Sequence, residues 1–221
     1  MFPTHTPISA ILYALAGFGC WVTGDTFMKL ASDLHVPAYQ IMALGSIGGS
    51  VTILSVTAAR GKLAALRPHR IGGLVALGSM FLINYVLYLI SLPHMPLANF
   101  YSIIFMSPIL VAIMATVFFD EQLSWKMAIA SLVGFGGVLV AVNPMALMQD
   151  QVNWVAHAAA FASMFVFTMQ MLTLRFLTRH ETRECMAFYP RLFPLVFGVG
   201  GLAIWGLFPM PIEGWIYCFL T

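Results

Sequence analysis

The chain has 221 residues, of which 61% are hydrophobic and only 8% charged, with a formal net charge of +2. Average proteins carry about 25% charged residues, so this chain lacks the polar surface that water demands. That excludes a water-soluble domain, and the near-neutral charge points to no nucleic-acid surface.

The hydrocarbon core of a bilayer is about 30 Å thick and takes about 20 helical residues to cross. In chain order, apolar runs of that length occupy Ile8–Leu30, Pro37–Ala58, Ile71–Leu92, Leu97–Phe119, Lys126–Leu147, Trp154–Leu177 and Met186–Phe208, and an eighth starts near Ile212. A barrel strand needs about 9–11 residues and alternates in polarity. These runs are longer and unbroken, so helices are required, because lipid offers the backbone no other partner. The predicted fold is an all-α integral membrane protein, a polytopic helix bundle with seven full spans plus the start of an eighth. The first run reads as a retained helix, since it is too long for a signal segment and no small-residue cleavage site follows.

Eight of the ten basic residues (Arg60, Lys62, Arg67, Arg70, Lys126, Arg175, Arg179 and Arg183) fall at the connections after spans two, four and six. The positive-inside rule assigns that side, and with it the N-terminus, to the cytoplasm. Cys20, Cys185 and Cys218 are scattered, which argues against a disulfide framework or a zinc site. Cys185 is expected to lie at the cytoplasmic edge, open to thiol reagents from that side. Trp125, Trp154 and Trp215 fall at span edges, as aromatic belts do.

Polar groups inside spans are costly and are candidates for function. Trp21, Asp25 and Lys29 share one face of span one at i, i+4, i+8. In one reading Trp21 stacks on a planar ligand and Asp25 pairs with a cation or carries a proton. In the other, Asp25 and Lys29 form a local pair and Lys29 reaches for the interface. Span three offers Asn84 and Tyr88, span four Tyr101 between Asn99 and Ser102, span six Gln170 and Thr173, and span seven Arg191 after Tyr189-Pro190. Asn84 serves as interhelical glue or as a ligand group. Tyr101 belongs to a gate or an interfacial girdle. Arg191 holds an anionic group bidentately or snorkels to the membrane surface. Pro108 removes one backbone hydrogen bond and kinks span four, a hinge candidate. Gly134, Gly136 and Gly137 would let a neighbouring helix approach closely.

If spans one to five form one unit and span six opens another, the odd helix count inverts the second unit. Span one closes on Lys29-Leu30-Ala31-Ser32 and span six on Arg175-Phe176-Leu177-Thr178, a weak echo. Inverted repeats suit transporters that hold a solute near the midplane.

The stretch Pro96–Pro144 combines a small-residue helix around Pro108, the acidic pair Asp120-Glu121, a turn into Trp125-Lys126, and a glycine-rich helix ending in Asn143-Pro144. It resembles the closing half of the EamA module of drug/metabolite transporters. Gly24–Leu30 is similar to the first helix of that module, and Gln40-Ile41-Met42 is similar to the branch that includes S-adenosylmethionine importers. The resemblance implies ten helices in two inverted five-helix modules. It assigns 8–147 to the first module and 154–221 to an incomplete second one, ending about ten residues into its third helix. Many relatives carry an arginine early in span two, where this chain reads Ala43-Leu44-Gly45-Ser46.

The resulting expectation is a secondary carrier that moves a small organic metabolite across the bacterial inner membrane. Trp21, Asp25, Asn84, Tyr88, Gln170 and Arg191 would line its cavity. Its partners are the lipid bilayer and a small-molecule solute, it needs no cofactor and no metal, and a homodimer remains open. The alternatives are a non-transporting or partner-dependent fragment of a ten-helix carrier and, less in keeping with the residues, a membrane-embedded enzyme. Against the enzyme, Asp120-Glu121 has no nearby histidine to complete a catalytic cluster.

Overall fold

A computed structural model describes residues 7–119 and 153–221, with a scatter of helical residues between 125 and 140. The described residues form helices, turns and short connections, with no strand among them. The helices are α1 (Pro7–Asp33), α2 (Ala38–Ala59), α3 (Ile71–Ser91), α4 (Leu97–Ile104), α5 (Ser107–Phe119), α6 (Trp154–Leu177), α7 (Arg183–Trp205) and α8 (Ile212–Phe219). Short 3-10 turns sit at Leu63–Leu66 and Leu92–His94. Among the described residues, six stretches are long and apolar enough to cross a membrane: Ile11–Asp33, Ala38–Ala59, Ile71–His94, Leu97–Thr116, Trp154–Leu177 and Arg183–Trp205. The protein is therefore an integral membrane protein. The expected span Lys126–Leu147 lies largely outside the described residues, and α8 is too short to cross.

Span four is not one helix. The chain turns at Phe105–Met106, and a second helix starts with Ser107-Pro108 at its head. Proline has no N–H to donate and disfavours helical geometry in the residue before it. It therefore sits comfortably in the first turn of α5 and ends α4 upstream of itself. Asn153 caps α6 by accepting from the Ala156 N–H, and Thr182 caps α7 by accepting from the Cys185 N–H, both at 3.2 Å.

Helices adjacent in sequence touch little. Instead α2 packs on α7, α3 on both α6 and α7, α4 and α5 on α6, and α8 fits between α1 and α2. The tightest seam is α2–α7. A Cβ added at Gly198 would lie 2.8 Å from both Ala43 Cα and the Tyr39 carbonyl oxygen, and at Gly201 it would lie 2.7 Å from the Tyr39 ring. Gly78 on α3 receives the Phe193 ring of α7 in the same way. Small residues thus do bring helices together here, as packing in lipid requires. The expected packing glycines Gly134, Gly136 and Gly137 sit in a stretch that lies largely outside the described residues.

The connection between α2 and α3 is fastened to the connection between α6 and α7. Glu181 has a fully buried side chain, and its Oε1 accepts from the backbone N–H groups of His69, at 2.7 Å, and Arg70. Its Oε2 lies 3.6 Å from His69 Nδ1. Thr182 Oγ1 and Cys185 Sγ both donate to the Ala65 carbonyl, and Tyr189 OH donates to Leu66 O at 3.0 Å. Cys185 is fully buried under this clasp, which corrects the expectation of an open thiol. Burial pushes the Glu181 carboxyl up, but the Arg70 and His69 hydrogen bonds outweigh it and hold the group below the usual carboxylate range.

Two predictions come from this packing. Gly198→Ala forces a methyl into backbone and should lower stability by about 1–3 kcal/mol. Gly200→Ala, where nothing lies within 4 Å, should be near neutral. Thermal unfolding in detergent separates the two. Because the Glu181 carboxyl is depressed in the folded state, its contribution is present above its unfolded value of about 4.3 and is lost as pH falls through the lower folded value. The melting gap between wild type and Glu181→Gln should therefore be widest above that pH and close under acid.

Candidate functional site

A cavity of about 480 Å³ is bounded by α1, α3, α6, α7 and the end of the chain at Leu220-Thr221. Trp21 and Asp25 enter from α1, Asn84 and Tyr88 from α3, Gln170 from α6 and Arg191 from α7. Residues from four helices, far apart in sequence, therefore face one space. Helices α1 and α3 each deliver a pair by turn spacing: Trp21 and Asp25 are four apart, as are Asn84 and Tyr88.

Asp25 is 4% exposed and accepts from Tyr101 OH at 2.8 Å and from the Trp21 side chain. Tyr101 is outside the cavity wall, so its role in the geometry is to hold the carboxylate from behind. It is itself fixed by Phe100 and Phe105, with ring centroids 5.8 and 5.6 Å away. The indole of Trp21 lies 5.0 Å from the Phe167 ring, centroid to centroid and tilted by 32°, which makes an aromatic wall beside the carboxylate.

The local pair between Asp25 and Lys29 is not made. Lys29 Nζ donates to the carbonyls of Leu92, at 2.7 Å, and Met95, at 3.2 Å. It thereby pins α1 to the turn between α3 and α4, and Asp25 is left with neutral donors.

Arg191 is the opposite pole. Among the described residues its guanidinium meets no carboxylate, and its electrostatic neighbour is Tyr85. The head group lies against Gly49 of α2, where a Cβ would come within 2.7 Å of its Cζ. The absence of a side chain at Gly49 is what gives Arg191 its seat. Tyr85 lines the cavity and interacts with both Arg191 and Asp25.

Three polar atoms of the wall are buried with no protein partner: Asn84 Oδ1, Tyr88 OH and Gln170 Oε1. Buried polar groups are nearly always paired, and an orphan costs about 1–3 kcal/mol. All three belong to residues that line the cavity. Thr173 instead contacts Met80 Sδ at 3.7 Å across α3–α6. Both ends of the Gln40 amide are spent on Phe208, to its carbonyl at 3.1 Å and from its N–H at 2.8 Å, so Gln40 takes no part in the cavity. No cluster of three His, Cys, Asp or Glu suited to a metal occurs among the described residues.

The sequence reading did not anticipate Tyr85, Phe81, Phe167 or Gly49. Tyr85 adjoins Asn84 and could have been flagged by that alone. The aromatic walls look like any lipid-facing phenylalanine, and the need for glycine at position 49 exists only once α7 lies across it.

The family model that matches this chain is the "EamA-like transporter family", over residues 8–143. A solved structure described as "Crystal structure of protein" aligns with a TM-score of 0.69 at 20% identity, covering 93% of this chain and 72% of that one. At that identity it speaks for the fold alone. No curated protein matches.

If Lys29 is the pin that its geometry makes it, Lys29→Met should lower stability by about 1.5–3 kcal/mol, the range for hydrogen bonds to a charged group. Lys29→Arg should recover most of the loss. Melting in detergent provides the reading.

Proposed function

Since the chain belongs to the EamA-like transporter family, we propose that it is a secondary carrier for a small dipolar organic solute bound in the cavity between α1, α3, α6 and α7. The anionic group of the solute is held by Arg191, and its cationic or proton-bearing end by Asp25. Asn84, Tyr88 and Gln170 accept from or donate to its polar edge, and Trp21 stacks on its flat part. The observation that carries this reading is the pairing of an acid and an unmatched guanidinium on one buried wall, with three orphan polar atoms beside them. Buried charges cost too much to be retained without a partner, and a solute with both charges supplies one for each.

In this reading the helices form two inverted modules, 8–147 and 154–221, and alternating access comes from rocking one against the other. The cross-packing of α2 and α3 on α6 and α7 supports that arrangement. Pro108 serves as a hinge, since the break at Phe105–Met106 gives span four a flexible joint. The basic connections face the cytoplasm of a bacterial cell, with the N-terminus on the same side. An amino-acid-derived solute of the S-adenosylmethionine kind fits the charge pattern and the short resemblance at Gln40-Ile41-Met42.

A thermal-shift screen of zwitterionic, anionic and cationic metabolites identifies the class, because a bound solute raises the melting temperature. Zwitterions should shift the wild-type protein most. Arg191→Gln should weaken binding of the best hit about 10- to 100-fold, the equivalent of losing hydrogen bonds to a charged group. Asp25→Asn should abolish uphill uptake into proteoliposomes. Equal affinity of the Arg191→Gln variant, or normal pH-driven accumulation by Asp25→Asn, would remove the assigned roles.

A further inference from the structure

We propose that the clasp of Glu181 and Thr182 on residues 65–70 is the gate that shuts the cavity at its arginine-rich end. The proposal rests on the carrier reading above and adds how access to that site is controlled.

Three helices run through the same sequence of layers. On α3, Arg70 and Ile71 stand at the clasp, Leu74 and Leu77 follow, and Phe81 and Asn84 reach the cavity. On α6 the order is reversed: Phe167 and Gln170 at the cavity, Leu174 and Leu177 next, then Glu181 just beyond the helix. On α7, Thr182 caps the helix at the clasp, Cys185, Met186 and Tyr189 follow, and Arg191 reaches the cavity. Leu74, Leu77, Leu177, Cys185 and Met186 form one buried apolar cluster. It plugs the way between the clasp and the cavity on all three helices.

The chemistry of the clasp suits release. Its bonds run between two connections, not between helix faces, and its edge is wet: the His69 side chain is 66% exposed. Water can replace each bond as it breaks, so separation there costs little net hydrogen bonding. The α2–α7 seam is the opposite case. It is built on glycines against backbone and cannot part without opening voids. One interface between the halves is therefore fit to stay and the other to open, which is what a rocking motion about a fixed seam needs.

Cys185 provides a native reporter, because its thiol is fully buried directly beneath the clasp. The full chain in proteoliposomes is treated with N-ethylmaleimide, and labelling of each cysteine is read by peptide mass spectrometry. Cys218 is equally buried but in the other apolar cluster, so it reports general unfolding. Glu181→Ala should speed labelling of Cys185 about tenfold or more, in line with loss of a charge-assisted bond, and raise Cys218 far less, by no more than the loss of overall stability accounts for. Glu181→Gln, which keeps one acceptor, should fall between. Unchanged Cys185 labelling overturns the proposal, and so does a parallel rise at Cys218, which would make Glu181 a general stabiliser of the fold. The readout uses no solute. A failure of the carrier reading thus has a different signature: no uptake of any metabolite, with the labelling response intact.

Discussion

Lipid supplies no hydrogen bonds, and that one constraint orders everything else in this protein. It forces helices, and it makes each polar side chain between them either matched or expensive. Most are matched locally. Thr23, Thr26, Thr52, Ser79, Ser102 and Thr168 all donate to a carbonyl one turn back in their own helix. Against that background the exceptions stand out. Among the described residues, Ser50, Asn84, Tyr88, Gln170 and Glu181 each keep a buried polar atom without a hydrogen bond, and Asn84, Tyr88 and Gln170 line one cavity together with Arg191.

The same constraint explains how charge is distributed. Lys29 and Asp25 are one turn apart and would neutralise each other in a free helix. Lys29 instead spends its protons on two carbonyls freed where the α3 helix ends. Those carbonyls have no partner of their own once the chain turns at Pro93 and Pro96, because a proline nitrogen has nothing to donate. A cation there completes the backbone, and the carboxylate is released to face the cavity with only a phenol and an indole behind it. A local structural need thus leaves Asp25 available.

Much of the fold was legible because its signal is long-range hydropathy. The starts of α3, α6 and α8 at Ile71, Trp154 and Ile212 match the apolar runs, and so does the membrane class. The six polar candidates converged on one cavity because a polar residue deep in an apolar run has few places to go. What sequence did not reveal depends on pairs of distant residues. The close contacts at Gly78, Gly198 and Gly201 are with Phe193, Ala43 and Tyr39, far away in the chain, and no local motif marks them. Glu181 looks like an ordinary loop acid until His69 and Arg70, more than a hundred residues earlier, present their N–H groups to it.

That last pairing joins two connections that lie far apart in the chain. A carboxylate at the N-terminus of a helix gains from unsatisfied N–H groups and from the positive end of the helix dipole. Glu181 sits beside that end of α3 without belonging to it, and accepts from His69 and Arg70, the two residues just before the helix. The acceptor comes from the connection after α6, so the His69 and Arg70 N–H groups are paired with it only while the two connections are together. Separation leaves those N–H groups to water at the membrane edge, which accepts them readily. Deeper in the bilayer the same exchange would be prohibitive, since no water is there to take over. The depth at which a contact sits thus sets the cost of breaking it: polar bonds at the surface can pass to water, while glycine-tight contacts such as Gly198 on Ala43 hold the interior.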